Sequence, residues 1–486
     1  MLQSPRITTT HVSIALSIIV LCCSKAPAVT ISEPPTLTLT ILYDNDLHGH
    51  LLPFAYTEVG KSSVEQPSRG GAARRASLIR RLRQSSKNPT LLIDSGDIAT
   101  RGPLITTYEG VPDVEAMNTI GYDIAAIGNN EFKLKDAVDE DDSAGAQSDL
   151  LQIIKLSRFP WICANATQAD GSLLEGVQPY VVREFSGVRI GFLGLTTSRS
   201  AAYPQTKGWS ISDPIAAAKQ WIPEARKHCD VLIAVTHIGT LDDEQLAAQT
   251  TGLDAIIGGD SHTFLYTPVV VKNPSGVNVP IVQDGEFGVD LGRFDLHFTE
   301  DPAGAWHLTN YHDILLPVDA SSPEAPDVKA VLAPYVAPFL PVVGHLSQIA
   351  DTPTGRLQQT TRIVLDALRQ QTNSDYALNP AGVGLFEVFR HKAITRYDVF
   401  AVMPFHDDVL TTSLTGAQIS GLINAQPTTV VSGDLTKLVD TKTYTVAFVD
   451  YEARSGYKIP ESDLVETNLD VRTAVINWFT KGSPSY

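Results

Sequence analysis

The stretch that decides the fold is Leu91-Leu92-Ile93-Asp94-Ser95-Gly96-Asp97. A short apolar run that stops at Gly and Asp is typical of a buried strand whose end reaches the surface. In open α/β sheets, ligands bind at the carboxyl ends of the strands. We therefore expect the Asp97 carboxylate to lie at a functional edge of a sheet. Taken alone, the same residues are equally typical of an ordinary Asx-type turn.

Four further apolar runs also end in polar residues of the kinds that bind metal ions. The residues that follow them are Asp46 and His48 after 36–43, Asn129 after 123–127, His237 after 231–235, and Asp260 and His262 after 253–257. Helical patterns separate these runs along the chain. Alternation of strand and helix predicts an α/β sandwich for residues 36–316.

These side chains combine imidazole, carboxylate and amide groups, a mixture that suits Zn²⁺, Mn²⁺ or a similar divalent ion. Together with Asp97 they number seven, which is more than one tetrahedral site needs. We therefore predict two divalent metal ions that share the Asp97 carboxylate. Such a pair, about 3.5–4 Å apart, is suited to the in-line displacement of a phosphoryl group. A single His or Asn would more often be structural, so the hypothesis depends on five strand ends taken together.

Length and composition limit the organisation and the partners of the chain. A chain of 486 residues is long for one hydrophobic core, so two domains are expected. The net charge of −17 argues against a nucleic-acid polymer as the partner. Six prolines in 317–343 predict a linker with a short helix in its middle. A smaller α+β domain is expected over 344–486.

The N-terminus has the pattern of an export signal. The apolar run Val12–Cys23 is too short for a comfortable membrane span, and Ala26-Pro27-Ala28 is an A-x-A-like cleavage site. We expect residues 1–28 to be a signal peptide and the protein to be exported, whether periplasmic, secreted or at the cell surface. A lipid anchor through Cys22 or Cys23 and a buried N-terminal helix are the alternatives. No later stretch is long and apolar enough to be a transmembrane span.

At this point the motifs resemble a known family. They are Asp46-Leu47-His48, Gly96-Asp97, Gly128-Asn129-Asn130-Glu131, Thr236-His237-Ile238-Gly239 and Gly258-Gly259-Asp260-Ser261-His262. The first half resembles the calcineurin-like metallophosphoesterases. The whole chain resembles the secreted 5′-nucleotidase and 2′,3′-cyclic-nucleotide phosphodiesterase family. The resemblance implies hydrolysis of a small phosphoester, a nucleotide in that family, by hydroxide held between two metal ions.

The resemblance also distributes the ligands between two metal ions. It implies one site formed by Asp46, His48, Asp97 and His262, and a second formed by Asp97, Asn129, His237 and Asp260. Asp260 stands where the family usually has His, and His262 stands where it has Gln, Asn or His. All of these residues can bind a metal ion.

A departure from the family follows Asn129. The family has a His and, three residues later, an Asp, which form a catalytic dyad. This chain has Asn130 and Lys133 at those positions. An ammonium group does not perform the proton transfers of an imidazole at neutral pH without a large pKa shift.

The second domain departs from the family too. The resemblance assigns substrate contacts to Arg356, Asn379, Phe405 and Tyr457, with the two aromatic rings stacking on a nucleobase. The Arg that ends the family's Asn-x-Gly-Gly-Ile-Arg motif is Gly384 here. Three functions follow: a nucleotide phosphoesterase, a hydrolase of a non-nucleotide or sulfur ester, and a metal-binding protein with weakened turnover. The sequence predicts no oligomeric state.

Overall fold

The computed structural model describes Met1 and residues 34–57, 65–134 and 143–482. The expected signal peptide, apart from Met1, and the acidic run 139–142 lie outside the described residues. In the part that is described, no helix has both the length and the apolar character needed to cross a membrane.

The described part of the first domain contains two large sheets of mixed strand direction and two small two-stranded sheets. Its strands are β1 (Thr36–Asp44), β2 (Phe54–Tyr56), β3 (Gln66–Arg69), β4 (Thr90–Asp94), β5 (Ile124–Ala126), β6 (Trp161–Ile162), β7 (Ala166–Gln168), β8 (Val177–Gln178), β9 (Tyr180–Phe185), β10 (Val188–Thr196), β11 (Trp209–Ile211), β12 (Val231–His237), β13 (Ala255–Ile257), β14 (Val269–Lys272), β15 (Asn278–Val282), β16 (Asp290–Glu300) and β17 (Trp306–Pro317). One large sheet has the order β17-β16-β1-β4-β5-β6-β8, and the other has the order β14-β15-β13-β12-β10-β9. The small sheets pair β2 with β3 and β7 with β11.

Helices cover the outer faces of both large sheets. They are α1 (Ala72–Ser85), α2 (Ile105–Tyr108), α3 (Val111–Ile120), α4 (Ser143–Leu156), α5 (Pro214–Ala225), α6 (Thr240–Gln249) and α7 (Pro326–Val336). One hydrophobic cluster joins the inner faces of the two sheets, and two others lie under the helices. The predicted α/β sandwich is confirmed.

The alternation of side chains along β1 shows how the layers form. Ile41 and Tyr43 point into the cluster between the sheets, whereas Leu42 points into the cluster under the helices. Successive side chains of a strand point to opposite faces, and here both faces are buried. The second half of the strand, from Ile41 to Tyr43, is therefore continuously apolar, and Asp44 ends it.

The register of the sheets places these strand ends together. Strand β1 is parallel to β4, and β4 is parallel to β5; in the other sheet β12 is parallel to β13. Parallel neighbours have their carboxyl ends at the same edge. All seven predicted metal ligands follow, or end, these five strands, so the sheets bring residues that are far apart in sequence to one edge of the sandwich.

The Pro-rich segment is folded onto the first domain. Helix α7 packs against α1 and α3, and Val328 and Leu332 are buried in the cluster under those helices. The segment that we expected to be a linker thus completes the core of the first domain before the chain reaches the second. Pro326 occupies the first turn of the helix, a position that tolerates proline, and Pro334 lies inside it.

The second domain is a five-stranded sheet with helices on both faces. Its elements are β18 (Val342–His345), α8 (Pro353–Gln371), β19 (Tyr376–Pro380), β20 (Ala393–Thr395), α9 (Arg396–Val402), β21 (Asp408–Thr415), α10 (Gly416–Ala425), β22 (Thr429–Ser432), β23 (Thr443–Val449), β24 (Val465–Asp470) and α11 (Val471–Thr480). The sheet order is β22-β19-β23-β21-β24. Helices α8 and α11 cover one face, and α10 packs on the other. The predicted α+β fold is confirmed.

Asp243 on α6 is a buried carboxyl group that weakens the fold at high pH. The Thr236 hydroxyl donates to one of its oxygens at 2.6 Å, and the other oxygen has no hydrogen-bond partner among the described residues. Burial raises the pKa of Asp243 from 3.8 to about 8. A raised pKa in the folded protein means that stability is greatest below the unfolded value and falls as pH rises towards about 8.

We therefore expect Asp243→Asn, which resembles the protonated acid, to be more stable than the wild type at pH 9. The difference in free energy of unfolding between the variant and the wild type should shrink by about 1.4 kcal/mol per pH unit as pH falls towards 4. Denaturant unfolding at several pH values measures it. Asp242→Asn, at the exposed neighbouring position, is the matched control. An advantage that does not change with pH would contradict this assignment.

Candidate metal centre

The structure brings the predicted ligands together at the carboxyl edge of the sandwich. Two groups of side chains have ligand atoms within 4.8 Å of one another: Asp46, His48 and His262, and Asp46, Asp97 and His237. All except His262 are buried. The donor set is the predicted mixture of imidazole and carboxylate, and each group can hold a divalent ion.

The polar atoms at the centre of this site lack ordinary partners. Asp46 Oδ1 and His237 Nε2 are buried and accept or donate no hydrogen bond within the described chain. The Ser95 carbonyl oxygen lies 2.8 Å from Nδ1 of His237, which must therefore donate to it. Nε2 is thereby aimed at the carboxylates. Buried polar atoms are otherwise almost always paired, so these orphaned atoms fit a resident cation.

Two carboxylates, not one, lie between the imidazole groups. Asp97 Oδ2 lies 3.2 Å from Nε2 of His237 and 3.7 Å from Nε2 of His48. Asp46 Oδ1 lies 3.3 Å from Nε2 of His262 and 3.8 Å from Nε2 of His237. We expected Asp97 alone to occupy the bridging position. The geometry makes Asp46 an equally placed candidate for it.

The last two predicted ligands lie on the side of His237. Asp260 Oδ1 is 3.7 Å from Nε2 of His237 and also forms an ion pair with Arg199. The Asn129 amide donates to the Tyr203 hydroxyl at 3.3 Å. Asp260 thus borders the second group of ligands, and the partner of the Asn129 side chain is Tyr203.

The backbone of the site is strained. Five of the seven predicted ligands have a left-handed backbone, which residues other than Gly rarely adopt: Asp46 (φ 51°), His48 (46°), Asp97 (61°), Asp260 (78°) and His262 (53°). Such strain persists only where the surrounding structure imposes it, and it concentrates at functional sites. The strain indicates that the loops after the strands hold the predicted ligand residues in positions required for function.

Electrostatics couple the histidines to the carboxylates. Burial lowers the pKa of His262, but the Asp46 and Glu286 carboxylates outweigh it and raise the pKa to about 10. Burial alone would lower the pKa of His237, but the Asp97 and Asp46 carboxylates hold it well above the usual value. Negative charge thus dominates the site, which is what binding of divalent cations requires. Metal binding at these rings would require the ligating nitrogens to be deprotonated.

Further residues fix the ligand loops without touching the centre. The Glu131 carboxylate accepts the backbone N–H groups of Asp97 at 2.9 Å, Ile98 at 2.8 Å and Gly128 at 2.6 Å. It therefore ties the loop after β4 to the loop after β5. The Glu286 carboxylate accepts from Nδ1 of His262. A carboxylate behind a ligating His orients the ring.

The two residues at the dyad positions have other contacts here. The Asn130 side-chain amide donates to Asp97 Oδ2, and its backbone N–H donates to Oδ1 at 2.7 Å. The Lys133 ammonium lies 4.1 Å from the centroid of the Tyr203 ring, a cation–π contact. Asn130 is thus at the metal centre, and Lys133 lies beside it on an aromatic surface.

Sequence reasoning missed Arg199, Tyr203 and Glu286. Arg199 and Tyr203 follow β10, whose end carries no His or Asp to mark it as functional. Glu286 is in the loop before β16 and lacks a recognisable spacing to His262. Only the packing of the two sheets places these residues at the metal centre.

The four predicted substrate contacts each have partners within the protein. The Arg356 guanidinium donates to the Glu65 carboxylate of the first domain at 2.7 Å. The Asn379 amide donates to the Val383 carbonyl at 2.9 Å. The Arg356–Glu65 pair connects the two domains, and the Asn379–Val383 hydrogen bond shapes a turn.

The two predicted stacking rings have different neighbours. Phe405 packs edge to face on Phe386 with ring centroids 5.0 Å apart. Tyr457 packs on Phe448 at 5.3 Å, within the hydrophobic cluster under α10, and its hydroxyl lies 3.2 Å from that of Thr429. No ring contact joins Phe405 to Tyr457 in the described part of the chain.

Comparison with known proteins agrees with this architecture. Residues 39–264 match the calcineurin-like phosphoesterase family, and residues 342–433 match the 5′-nucleotidase C-terminal domain. The first domain therefore carries the pattern of the calcineurin-like phosphoesterases, and the second carries that of the 5′-nucleotidase C-terminal domain. The first match contains the seven predicted metal ligands, and the second contains Arg356, Asn379 and Phe405.

Individual proteins to which the chain is similar are named as nucleotide enzymes. It is 26% identical over 92% of its length to the trifunctional nucleotide phosphoesterase protein YfkN of Bacillus subtilis, of which it covers 32%. It is 32% identical over 60% of its length to the snake venom 5′-nucleotidase of Gloydius brevicauda, of which it covers 50%. The chain thus spans half or less of the length of these relatives. The structure of the 5′-nucleotidase precursor of Thermus thermophilus superimposes with a TM-score of 0.69 and 25% identity, covering 92% of this chain and 96% of that one.

Proposed function

We propose that this protein hydrolyses small phosphoesters, nucleotides among them, with two divalent metal ions such as Zn²⁺ or Mn²⁺. The observation that carries the proposal is the pair of ligand groups that share Asp46 at one edge of the sandwich. The family matches and the nucleotide enzymes among the relatives support the same reaction class.

The residues of the chain have separable roles in this proposal. Metal ions held by the seven ligands would activate a water and neutralise the phosphoryl oxygens. Arg199, at the rim of the site, is 63% exposed at its side chain and can turn from Asp260 towards a phosphate. Asn130 donates a hydrogen bond through its amide but cannot give up a proton to a leaving alcohol. The residues of the chain can therefore bind and orient a phosphoester, but they contribute less to acid catalysis of its cleavage.

The test is hydrolysis by the purified full chain, with p-nitrophenyl phosphate and a panel of nucleotides, with and without added Mn²⁺ or Zn²⁺. We expect turnover that depends on the metal ion and is abolished by a chelator. The His237→Ala variant, which lacks a ligand of the second group, is the matched control and should be inactive. Metal-loaded wild type no faster than metal ion in buffer would contradict the proposal.

A metal-binding protein with little turnover is the second candidate. Asn130 and Lys133 favour it, because both members of the family dyad are replaced together. The intact set of metal ligands favours the hydrolase.

The residues at the N-terminus also lead us to infer that the protein is exported, as a signal peptide ending at Ala28 would require. N-terminal sequencing of protein recovered from outside the cytoplasm should then begin near Val29. An intact Met1 on that protein would contradict export by this signal.

A further inference from the structure

Asp260 is a predicted metal ligand whose carboxylate already has a cationic partner within the chain. Its Oδ1 atom forms an ion pair with the Arg199 guanidinium, and the same atom lies 3.7 Å from Nε2 of His237. The Asp260 side chain is only 8% exposed. A carboxylate with so little access to water needs a cation beside it. In this structure that cation is the guanidinium of Arg199.

The two partners of this ion pair differ in their freedom to move. The backbone N–H of Asp260 donates to Asp46 Oδ2 at 2.9 Å, which ties Asp260 to the loop after β1. The Arg199 side chain is 63% exposed, and Asp260 is the one carboxylate that it contacts among the described residues. Because one partner is anchored and the other lies at the surface, we expect the pair to open by movement of Arg199.

Arg199 occupies an oxygen atom that a metal ion would also need. Asp260 Oδ1 lies near Nε2 of His237, a buried atom without a hydrogen-bond partner in the described part of the chain. A divalent ion bound by His237 would neutralise the same carboxylate. Two cations at one oxygen atom repel each other, so the ion and the guanidinium compete for Asp260.

A guanidinium released at this place is suited to bind a phosphoryl group. Its N–H donors form a planar fork that matches the geometry of a phosphate. Arg199 lies in the 3₁₀ helix Ser198–Ala202, which follows β10 at the rim of the metal centre. The oxygen that it contacts is 3.7 Å from the ligand atom of His237. A phosphoryl group beside His237 would therefore be within reach of the Arg199 side chain.

We propose that Asp260 exchanges its partner: Arg199 holds the carboxylate until a metal ion binds beside His237, and the released guanidinium then binds the phosphoryl group of the substrate. The proposal rests on the phosphoesterase function proposed above and adds a coupling between metal binding and substrate binding. Such coupling is reciprocal. A phosphoryl group that takes Arg199 away from Asp260 therefore strengthens metal binding by the same factor.

The test measures the Mn²⁺ affinity of the full chain by competition with a chromophoric chelator, with and without inorganic phosphate. In the wild type we expect phosphate to tighten binding of the weaker Mn²⁺ ion more than about tenfold, which is within the usual range for coupled sites. Phosphate that contacts the ion directly contributes to this effect in any variant. The quantity that tests the exchange is therefore the change in coupling when Arg199 is replaced.

Arg199→Ala should have two effects of opposite sign. Without phosphate, it should bind the weaker ion up to about fivefold more tightly than the wild type, because the exposed ion pair that competes for Asp260 is gone. The tightening by phosphate should be about tenfold smaller than in the wild type, the loss of one charged hydrogen bond. Arg199→Lys, which keeps the charge but not the planar fork, should fall between the two.

Arg189→Ala is the matched control. Arg189 lies near the start of β10, at the opposite end of the strand from Arg199, and its side chain is 46% exposed. It pairs with Asp230 at 2.6 Å. The control thus removes a similar Arg–Asp pair away from the metal centre, and both Mn²⁺ affinity and its response to phosphate should match those of the wild type.

Two results would overturn the exchange. One is a response to phosphate that is equal in Arg199→Ala and the wild type. The other is weaker Mn²⁺ binding by Arg199→Ala without phosphate, because Arg199 would then support the metal site. Hydrolysis without the coupling would overturn the exchange and leave the phosphoesterase standing. Coupling in a protein that hydrolyses no phosphoester would support the exchange and contradict the proposed function.

Discussion

Restoring the family dyad, as Asn130→His with Lys133→Asp, is expected to raise nucleotide turnover by about 10²–10⁴-fold, the usual contribution of general acid–base catalysis. Turnover of p-nitrophenyl phosphate should rise much less, because its leaving group departs as a stable anion. Steady-state kinetics of AMP and p-nitrophenyl phosphate hydrolysis by the metal-loaded proteins measure the two ratios.

The position of Asn130 makes this substitution informative. Its amide donates to Asp97 Oδ2, and an imidazole there would keep a donor at the metal centre. Asn130→Gln, which keeps the amide but lengthens the side chain, controls for changes in packing. An equal rise for both substrates would show that the His acts by positioning and not by proton transfer. A fall for both would indicate that Lys133 and Gly384 belong to a rebuilt site for another ligand.

Removing the Asp97 carboxylate is expected to reduce the occupancy of both metal ions, from about two per chain to below about one. The physical reason is that Asp97 Oδ2 lies within 3.2 Å and 3.7 Å of imidazoles from both ligand groups. Elemental analysis of Asp97→Ala after reconstitution and desalting measures the loss. Equal metal content in Asp97→Ala and wild type would exclude Asp97 as the bridge.

Two matched variants distinguish the possible bridges. Asp260→Ala removes a carboxylate that lies near His237 only, so it should lower the occupancy of one ion and spare the other. Asp46→Ala should behave like Asp97→Ala, because Asp46 belongs to both ligand groups. Loss of both ions in Asp46→Ala but of one in Asp97→Ala would transfer the bridging role to Asp46. Thermal melting of each variant shows whether the fold is retained.

The N-terminal fold and the ligand set could be predicted from sequence because both depend on local patterns. Buried strands such as Leu91–Asp94 are apolar on both faces, and helices separate them, so the layers follow from periodicity. The ligands follow because each lies just after a strand whose end the hydrophobic pattern marks. Asp97 and His237 are recognisable for that reason.

The second domain was predicted less completely. Its expected α+β fold is confirmed, but the contacts of Arg356 and Tyr457 could not be predicted. Arg356 pairs with Glu65, nearly 300 residues earlier in the chain, and the Tyr457 ring packs under α10. Long polar or amphipathic side chains have several possible partners, and a motif position does not say which partner is within reach.

The sequence by itself determined the layers, the strand ends and the types of metal ligand, because hydrophobic periodicity and residue chemistry are local properties. Only the tertiary structure decided that Asp46 is placed between the imidazoles as closely as Asp97, that Arg199 pairs with Asp260, and that the Phe287 ring packs edge on against His48 and His262. These arrangements depend on the distances between loops that the packing of two sheets and two domains imposes. Such distances are properties of the assembled core, and no stretch of the chain specifies them alone.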